Sequence, residues 1–435
     1  MNILLTINEI TTTGGAERVC INLANALTEC GHSVEILSFY RANRSLPYDT
    51  KAKLTFMHDF GEDILKNKML SNPIKKLYFK NLHKIILALK VWQKYKHTDI
   101  IITNDWTYMP IFKHKNTHYI KIQHLRFEKY NKRNNLFDAL VILSGREMGR
   151  WQRYHSNIKV IPNFLPTIPQ VATNHSQKVV LSVGRMDNGD QKGFLRLLDI
   201  WKVVQDRIVD CNDSALPNLA MTGRDSSSWD STNCATFSSL RESETNEAIQ
   251  TYCHTEGVAR SISNKNDRDS SLRTSAPLRM TKCLDFANLT EWKLIIVGDG
   301  VLKGEIESKI RTLNLGESVI LKPFTKDIER EYLGASIYAM SSHFEGFPMV
   351  LLESTAYGLA PISFDIATGP SDIIEHNKSG FLIADNDLES YADKLIALMS
   401  DESMRIAFGN EAKRIVNENF SKEVIMQKWR EVFEG

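Results

Sequence analysis

The sequence predicts an α/β chain of two Rossmann-like domains with a long disordered insertion in the second. Three observations carry this reading. An apolar strand, a glycine-rich turn and a helix follow one another from residue 2, and again from residues 179 and 292. A chain of 435 residues is longer than one ordinary core. Between the two α/β stretches lies a polar segment, 164–177, with Pro166 and Pro169, which reads as an interdomain linker. The expected boundaries are therefore 1–163, the linker 164–177, 178–418, and a final helix over 419–435.

Taken in order, residues 2–7 form the first strand. The run from Thr11 to Arg18 then opens a helix with Val19, Leu23, Ala26 and Leu27 on one face. Gly31 closes that helix and 34–39 is the next strand. In a doubly wound sheet such a turn lies at the carboxyl end of the strands, where ligands bind. Gly14 and Gly15 are thus site candidates, although a simple tight turn uses the same residues. A helix over 73–96 carries Ile74, Leu77, Tyr78, Leu82, Ile85, Leu89 and Trp92 on one face, read as core, with lysines on its flank. Strands follow at 100–103, 119–123, 139–143 and 158–161. His124 ends the second of these.

The second domain opens with the strand 179–183, then Gly184, Arg185, a polar loop, Lys192 and Gly193, and a helix from Phe194. Arg185 and Lys192 suit the neutralisation of a diphosphate, or they are ordinary surface charges. The next strand, 292–297, is delayed by about eighty residues. Residues 211–290 hold 13 Ser and 9 Thr, whereas the other 355 residues hold 21 Ser. A segment this polar buries too little apolar surface to offset its ordering entropy. It reads as a disordered insertion over 209–288 that adds nothing to a site, so its deletion is expected to preserve folding and activity. Further strands are expected at 318–321 and 337–341.

Composition narrows the class. The chain is 42% hydrophobic with a formal net charge of +2, as in soluble globular proteins. The apolar run from Asn2 to Thr6 is too short, and lacks the basic start, to read as a signal peptide, and no run of about eighteen apolar residues is present, so no membrane span is expected. Its six cysteines have no metal-ligating spacing, which fits a reduced, cytoplasmic chain and no metal site. Residues 61–160 hold 20 Lys or Arg against 7 Asp or Glu. A face this basic fits docking on an anionic membrane surface. Nucleic acid is the rival use, and no recognised motif for it accompanies the lysines.

The most informative stretch runs from His343 to Glu353. Glu345 lies on a loop, and Gly346, Phe347 and Pro348 lead into an apolar helix through Met349 and Val350 to Glu353. Proline suits a first helical turn, and free N–H groups beside a glycine make a phosphate seat. Both carboxylates then face one cavity with an electropositive floor. Two glutamates eight apart also occur on plain solvated helix faces. With Gly358, Pro361, Gly369, Pro370, Asp372, Ser379 and Gly380 downstream, however, the stretch resembles the family 4 retaining glycosyltransferases and their Glu-x7-Glu signature.

That resemblance implies the GT-B fold, two Rossmann-like domains facing across a cleft, with the last helix returned to the first domain. It implies transfer of a hexose or N-acetylhexosamine from a nucleotide sugar, a UDP-sugar foremost, with retention and with no metal or other cofactor. Glu345 and His124 would meet the reacting sugar. Arg185, Lys192 and the residues Gly346, Phe347, Pro348, Met349 and Val350 would hold the donor, Glu353 its ribose, and the Gly14–Gly15 loop would close the reacting face. The expected acceptor is a surface glycan, lipid-linked or on lipopolysaccharide, and the expected location is the inner face of the cytoplasmic membrane. Two rivals stay open. Gly298, Gly300 and Gly304 have dinucleotide-fingerprint spacing, which suits an NADP-dependent oxidoreductase, with Lys322 available to a 2′-phosphate. A non-catalytic sugar-nucleotide-binding relative is the other.

Overall fold

The structure, a computed structural model, describes residues 1–64, 82–219 and 286–434. The chain divides into two units, and the described residues of 1–205 and 291–435 make up the first. The first unit holds two parallel sheets.

The first sheet comprises β1 (Asn2–Glu9), β2 (Ser33–Tyr40), β3 (Lys53–Phe56), β4 (Ile100–Thr103), β5 (His118–Gln123), β6 (Ala139–Ile142) and β7 (Ile158–Val160). Their order is β3-β2-β1-β4-β5-β6-β7, and every neighbouring pair is parallel. Helices α1 (Gly15–Glu29), α2 (His83–Lys94) and α3 (Met148–Trp151) lie between the strands in the chain. Ile3, Leu5 and Ile7 of β1 enter one apolar core, and Leu4 enters another with Leu37, Ile101 and Tyr119. A sheet covered on both faces needs such continuous apolar strands.

The second sheet comprises β8 (Val179–Val183), β9 (Lys293–Val297), β10 (Val319–Lys322), β11 (Ile337–Met340), β12 (Ala360–Asp365) and β13 (Phe381–Ala384). The order is β10-β9-β8-β11-β12-β13, again all parallel. Its helices are α4 (Phe194–Leu219), α5 (Lys303–Thr312), α6 (Ile328–Leu333), α7 (Met349–Ala356), α8 (Pro370–Ile373) and α9 (Leu388–Ser400).

The chain ends with α10 (Glu402–Phe420) and α11 (Lys422–Glu434). Trp429 of α11 is 3% exposed and borders a small space with Val19, Leu23, Ile122 and Val141 of the first lobe. Lys422 reaches Glu29 at 2.8 Å, and Phe433 meets the His32 ring edge-on at 6.1 Å. The helix thereby joins the two lobes by apolar burial.

Several expectations need correction. On α2 the buried residues are His83, Leu87, Ala88 and Val91, whereas Leu82, Ile85 and Leu89 are exposed. Two apolar stripes run along this helix, and the sheet takes the one with Ala88, whose small side chain allows close approach. Lys84, expected on the flank, donates to the Trp106 carbonyl at 2.8 Å. The expected first part of this helix, with Ile74, Leu77 and Tyr78, lies outside the described residues. β3 was not foreseen: it is a short, half-buried edge strand between polar segments. α4 continues to Leu219, beyond the expected start of the insertion at 209. Once buried turns have nucleated a helix, polar residues extend it at little cost. Residues 220–285 lie outside the described residues. Pro348 caps α7 from just outside rather than occupying its first turn.

Candidate active site

In each sheet the strand order reverses at one point, between β1 and β4 and between β8 and β11. Ligands of doubly wound folds bind outside the carboxyl ends of the strands at such points. The loops that leave β1, β5, β8 and β11 carry Gly14, His124, Arg185 and Glu345 respectively.

The loop after β11 is tied to the loop before α4. His343 N–H donates to the Gln191 carbonyl at 2.9 Å, Gln191 Nε2 to the Phe344 carbonyl at 3.2 Å, and Ser341 Oγ to the Gly193 carbonyl at 2.8 Å. These bonds bring Lys192 Nζ within 2.7 Å of Glu345 Oε1, with the two side chains 19% and 8% exposed. Just beyond, the N–H groups of Met349 and Val350 begin α7, where no preceding turn supplies acceptors. A cation and a helix N-terminus therefore stand together beside a carboxylate.

Glu353 is buried one turn into α7. Tyr332 Oη donates to its Oε2 at 3.0 Å, and the Arg18 guanidinium of α1 forms an ion pair with Oε1. Burial raises the Glu353 pKa, and Arg18 and Tyr332 oppose that shift. Arg185 is 62% exposed in its side chain and pairs with Asp187 at 3.1 Å. Its charge also acts on Glu17, whose pKa burial raises. The Glu17 carboxylate lies against Gly14, which caps α1, so a Cβ on Gly14 would overlap it. Gly15 is the first residue of α1.

Gly346 sets the contact between the lobes. A Cβ there would overlap the His124 carbonyl, so only glycine allows this loop to lie on the end of β5. Arg146 clamps the same side by donating to both carboxylate oxygens of Asp365, at 2.7 and 3.2 Å. His124 Nε2 lies 3.0 Å from Asn104 Oδ1. Burial, and secondarily the charge of Lys121, push the His124 pKa down to about 3.

Not every candidate faces open space. Phe347 is 6% exposed and packs on Phe420 at 5.5 Å, and Met349 and Val350 lean on the same core. Arg18, Tyr332, Asn104 and Lys121 are site neighbours that the sequence reading did not select. Lys121 carried a legible signal, a lysine inside an apolar strand, which breaks the local pattern. Among the described residues no three His, Cys, Asp or Glu side chains converge as a metal-ligand set.

The glycines of the dinucleotide-like run have another task. A Cβ on Gly298 would overlap the Gly184 carbonyl and one on Gly300 the Met186 carbonyl, so both serve packing between loops. Lys322 pairs with Glu331 at 2.8 Å.

Two parallel, doubly wound lobes whose strand ends share one set of cations and carboxylates, tied by a returning C-terminal helix, define the GT-B fold. A TarM variant of Staphylococcus aureus, solved with Fondaparinux, α-GlcNAc-glycerol and UDP, has this fold. It superposes with a TM-score of 0.67 and 14% identity, covering 100% of both chains. Residues 13–168 match Glycosyltransferase Family 4 and residues 281–415 match Glycosyl transferases group 1. The chain belongs to the group 1 glycosyltransferases.

An uncharacterized glycosyltransferase of Haemophilus influenzae is 24% identical over 446 residues, 98% of this chain and 97% of that one. A Campylobacter jejuni protein named GalNAc-α-(1→4)-GalNAc-α-(1→3)-diNAcBac-PP-undecaprenol α-1,4-N-acetyl-D-galactosaminyltransferase is 23% identical over 432 residues, 96% of this chain and 94% of that one. A shorter match, 36% identical over 143 residues, spans 33% of this chain but only 15% of an exopolysaccharide phosphotransferase of Streptomyces coelicolor.

Proposed function

We propose that this glycosyltransferase moves a hexose or N-acetylhexosamine from a nucleotide sugar, a UDP-sugar foremost, to a surface-glycan acceptor, with retention at the anomeric carbon. The observation that carries the reading is the Lys192–Glu345 contact at the head of α7. When the bond from sugar to diphosphate breaks, negative charge builds on the leaving phosphate. A fixed cation and free helix N–H groups stabilise that charge without reorganising. Lys192 and Arg185 take the diphosphate, with the N–H groups of Met349 and Val350 beside them. Glu345, released from Lys192, orients the sugar hydroxyls. Glu353 takes the ribose by exchanging its bond to Arg18. His124 and the Gly14–Gly15 loop complete the reacting face. No metal is required, because the fixed cations fill its role, so a chelator is expected to leave the rate unchanged.

The acceptor class is supported by the polyprenol-linked glycan in the Campylobacter relative's name. The excess of basic residues over 61–160 supports docking on the anionic inner face of the cytoplasmic membrane. Among the described residues no helix is long and apolar enough to cross a membrane. The packing role of Gly298 and Gly300 speaks against the dinucleotide reading.

A thermal-shift panel tests the proposal, using UDP-glucose, UDP-galactose, UDP-N-acetylhexosamines, GDP-mannose and NADPH. A ligand that binds only the folded state raises the melting point. One nucleotide sugar is expected to raise it, and Arg185→Ala to abolish the rise. A rise with NADPH alone would overturn the proposal. Donor binding without turnover on lipid-linked acceptors would identify a degenerate relative instead.

A further inference from the structure

We infer that Asn104 is a positioning residue that fixes His124 in its Nε2–H form, leaving Nδ1 as the ring's one hydrogen-bond acceptor for a substrate hydroxyl or N–H. The inference rests on the proposed function only in assigning His124 to the reacting sugar.

Asn104 stands just past β4, where its backbone N–H donates to the Thr6 carbonyl at 3.0 Å. Its side-chain Nδ2 donates to the same carbonyl at 3.2 Å and to Cys20 Sγ at 3.4 Å. Thr6 and Cys20 are both buried, so these partners do not move away. Turning the amide over would set Oδ1 against the Thr6 carbonyl, two acceptors facing each other in a buried place. The amide orientation is therefore determined, and Oδ1 is the end that meets His124. An amide oxygen only accepts, so at 3.0 Å the ring must donate, and Nε2 carries the proton.

The state of the other nitrogen follows from its surroundings. Burial, and secondarily the nearby Lys121, disfavour a second proton on the ring, so Nδ1 is bare at neutral pH. Lys121 is itself fixed, because it is 2% exposed and donates to the Asp105 carbonyl at 2.7 Å beneath the Trp106 ring. A bare Nδ1 accepts from a hydroxyl or an amide N–H and repels a carboxylate. The sugar presented to it therefore carries a hydrogen-bond donor at that position and not a carboxylate, which favours a hexose or N-acetylhexosamine over a uronic acid.

The test reads the ring directly. Full-length protein is labelled with ring-15N histidine, and long-range 1H–15N spectra are recorded, with His124 assigned by its loss in His124→Gln. The expected wild-type signal is Nε2–H with an unprotonated Nδ1. Asn104→Leu, close in shape but without an acceptor, is expected to give a mixture of both neutral forms and to lower kcat about tenfold to a hundredfold, at or below the low end of the roughly 10²–10⁴-fold that a positioned acid or base itself contributes. Should the leucine variant fail to fold, Asn104→Asp supplies the readout, since a carboxylate bonded to Nε2–H raises the ring's titration midpoint. An Nδ1–H signal in the wild type would overturn the inference. So would an unchanged tautomer in Asn104→Leu, or an unmoved midpoint in Asn104→Asp. An altered tautomer with undiminished transfer in Asn104→Leu would leave the ring geometry intact but remove its positioning role, and full activity in His124→Gln would remove His124 from the proposed site.

Discussion

Replacing Lys192 by methionine isolates the ion pair on which the donor seat depends. Lys192 and Glu345 meet at 2.7 Å with side chains 19% and 8% exposed, so loss of the ammonium strands an almost fully buried carboxylate. Breaking a buried pair by removing one partner costs about 3–5 kcal/mol. Because the lysine end retains some contact with water, about 2–3 kcal/mol is the expected loss here. The double variant Lys192→Met with Glu345→Gln removes the stranded charge and should recover more than half of it. The coupling energy from the four-protein cycle is then about 1.5–2 kcal/mol. Urea unfolding of ligand-free protein, followed by tryptophan fluorescence, measures it. A coupling below about 0.5 kcal/mol would mean that the pair is no stronger than an exposed one, and would refute the reasoning. The same methionine should weaken donor binding about tenfold to a hundredfold, because a charged hydrogen bond to phosphate contributes about 1.5–3 kcal/mol.

Further consequences follow from other parts of the site. Burial raises the Glu353 pKa above its ordinary 4.5, so the native state holds that proton more tightly than the unfolded chain does. The ionised group therefore costs stability above the folded pKa, and the cost disappears as pH falls through that pKa towards 4.5. Glu353→Gln should accordingly melt higher than wild type at pH 7 and equal to it near pH 4, and a gain that persists at pH 4 in a Tm-against-pH series would contradict this. Trp429→Ala should cost about 3–5 kcal/mol by leaving a cavity between α11 and the first lobe, read by urea denaturation. Gly346→Ala forces the donor loop away from the His124 carbonyl and should lower kcat about a hundredfold, with little loss of secondary structure by circular dichroism.

The fold was legible wherever local pattern and burial agree. The mostly apolar runs 179–183 and 100–103 are central parallel strands, and the glycines that follow the first of them fall at its strand end. It was illegible where one sequence serves two patterns. The helix His83–Lys94 carries two adjacent apolar stripes, and only the shape of the sheet beneath decides between them. Edge strand β3 buries too little to leave a periodic signal. In the site, the spacing of Glu345, Pro348 and Glu353 announced a loop leading into a helix. The partners did not follow from spacing, because Arg18 reaches Glu353 from the first helix, and Asn104 reaches His124 from another strand. The first pairing exists only once both lobes are assembled, and the second only once β4 and β5 lie side by side.

Retention at the anomeric carbon tests the central claim most directly. The nucleotide sugar that raises the melting point is incubated with enzyme and a lipid-linked acceptor, and the first-formed linkage is read by proton NMR from the anomeric coupling. The account predicts an α-linked product from an α-linked donor, at a rate reduced by Glu345→Gln and unchanged by EDTA. A β-linked product would contradict it.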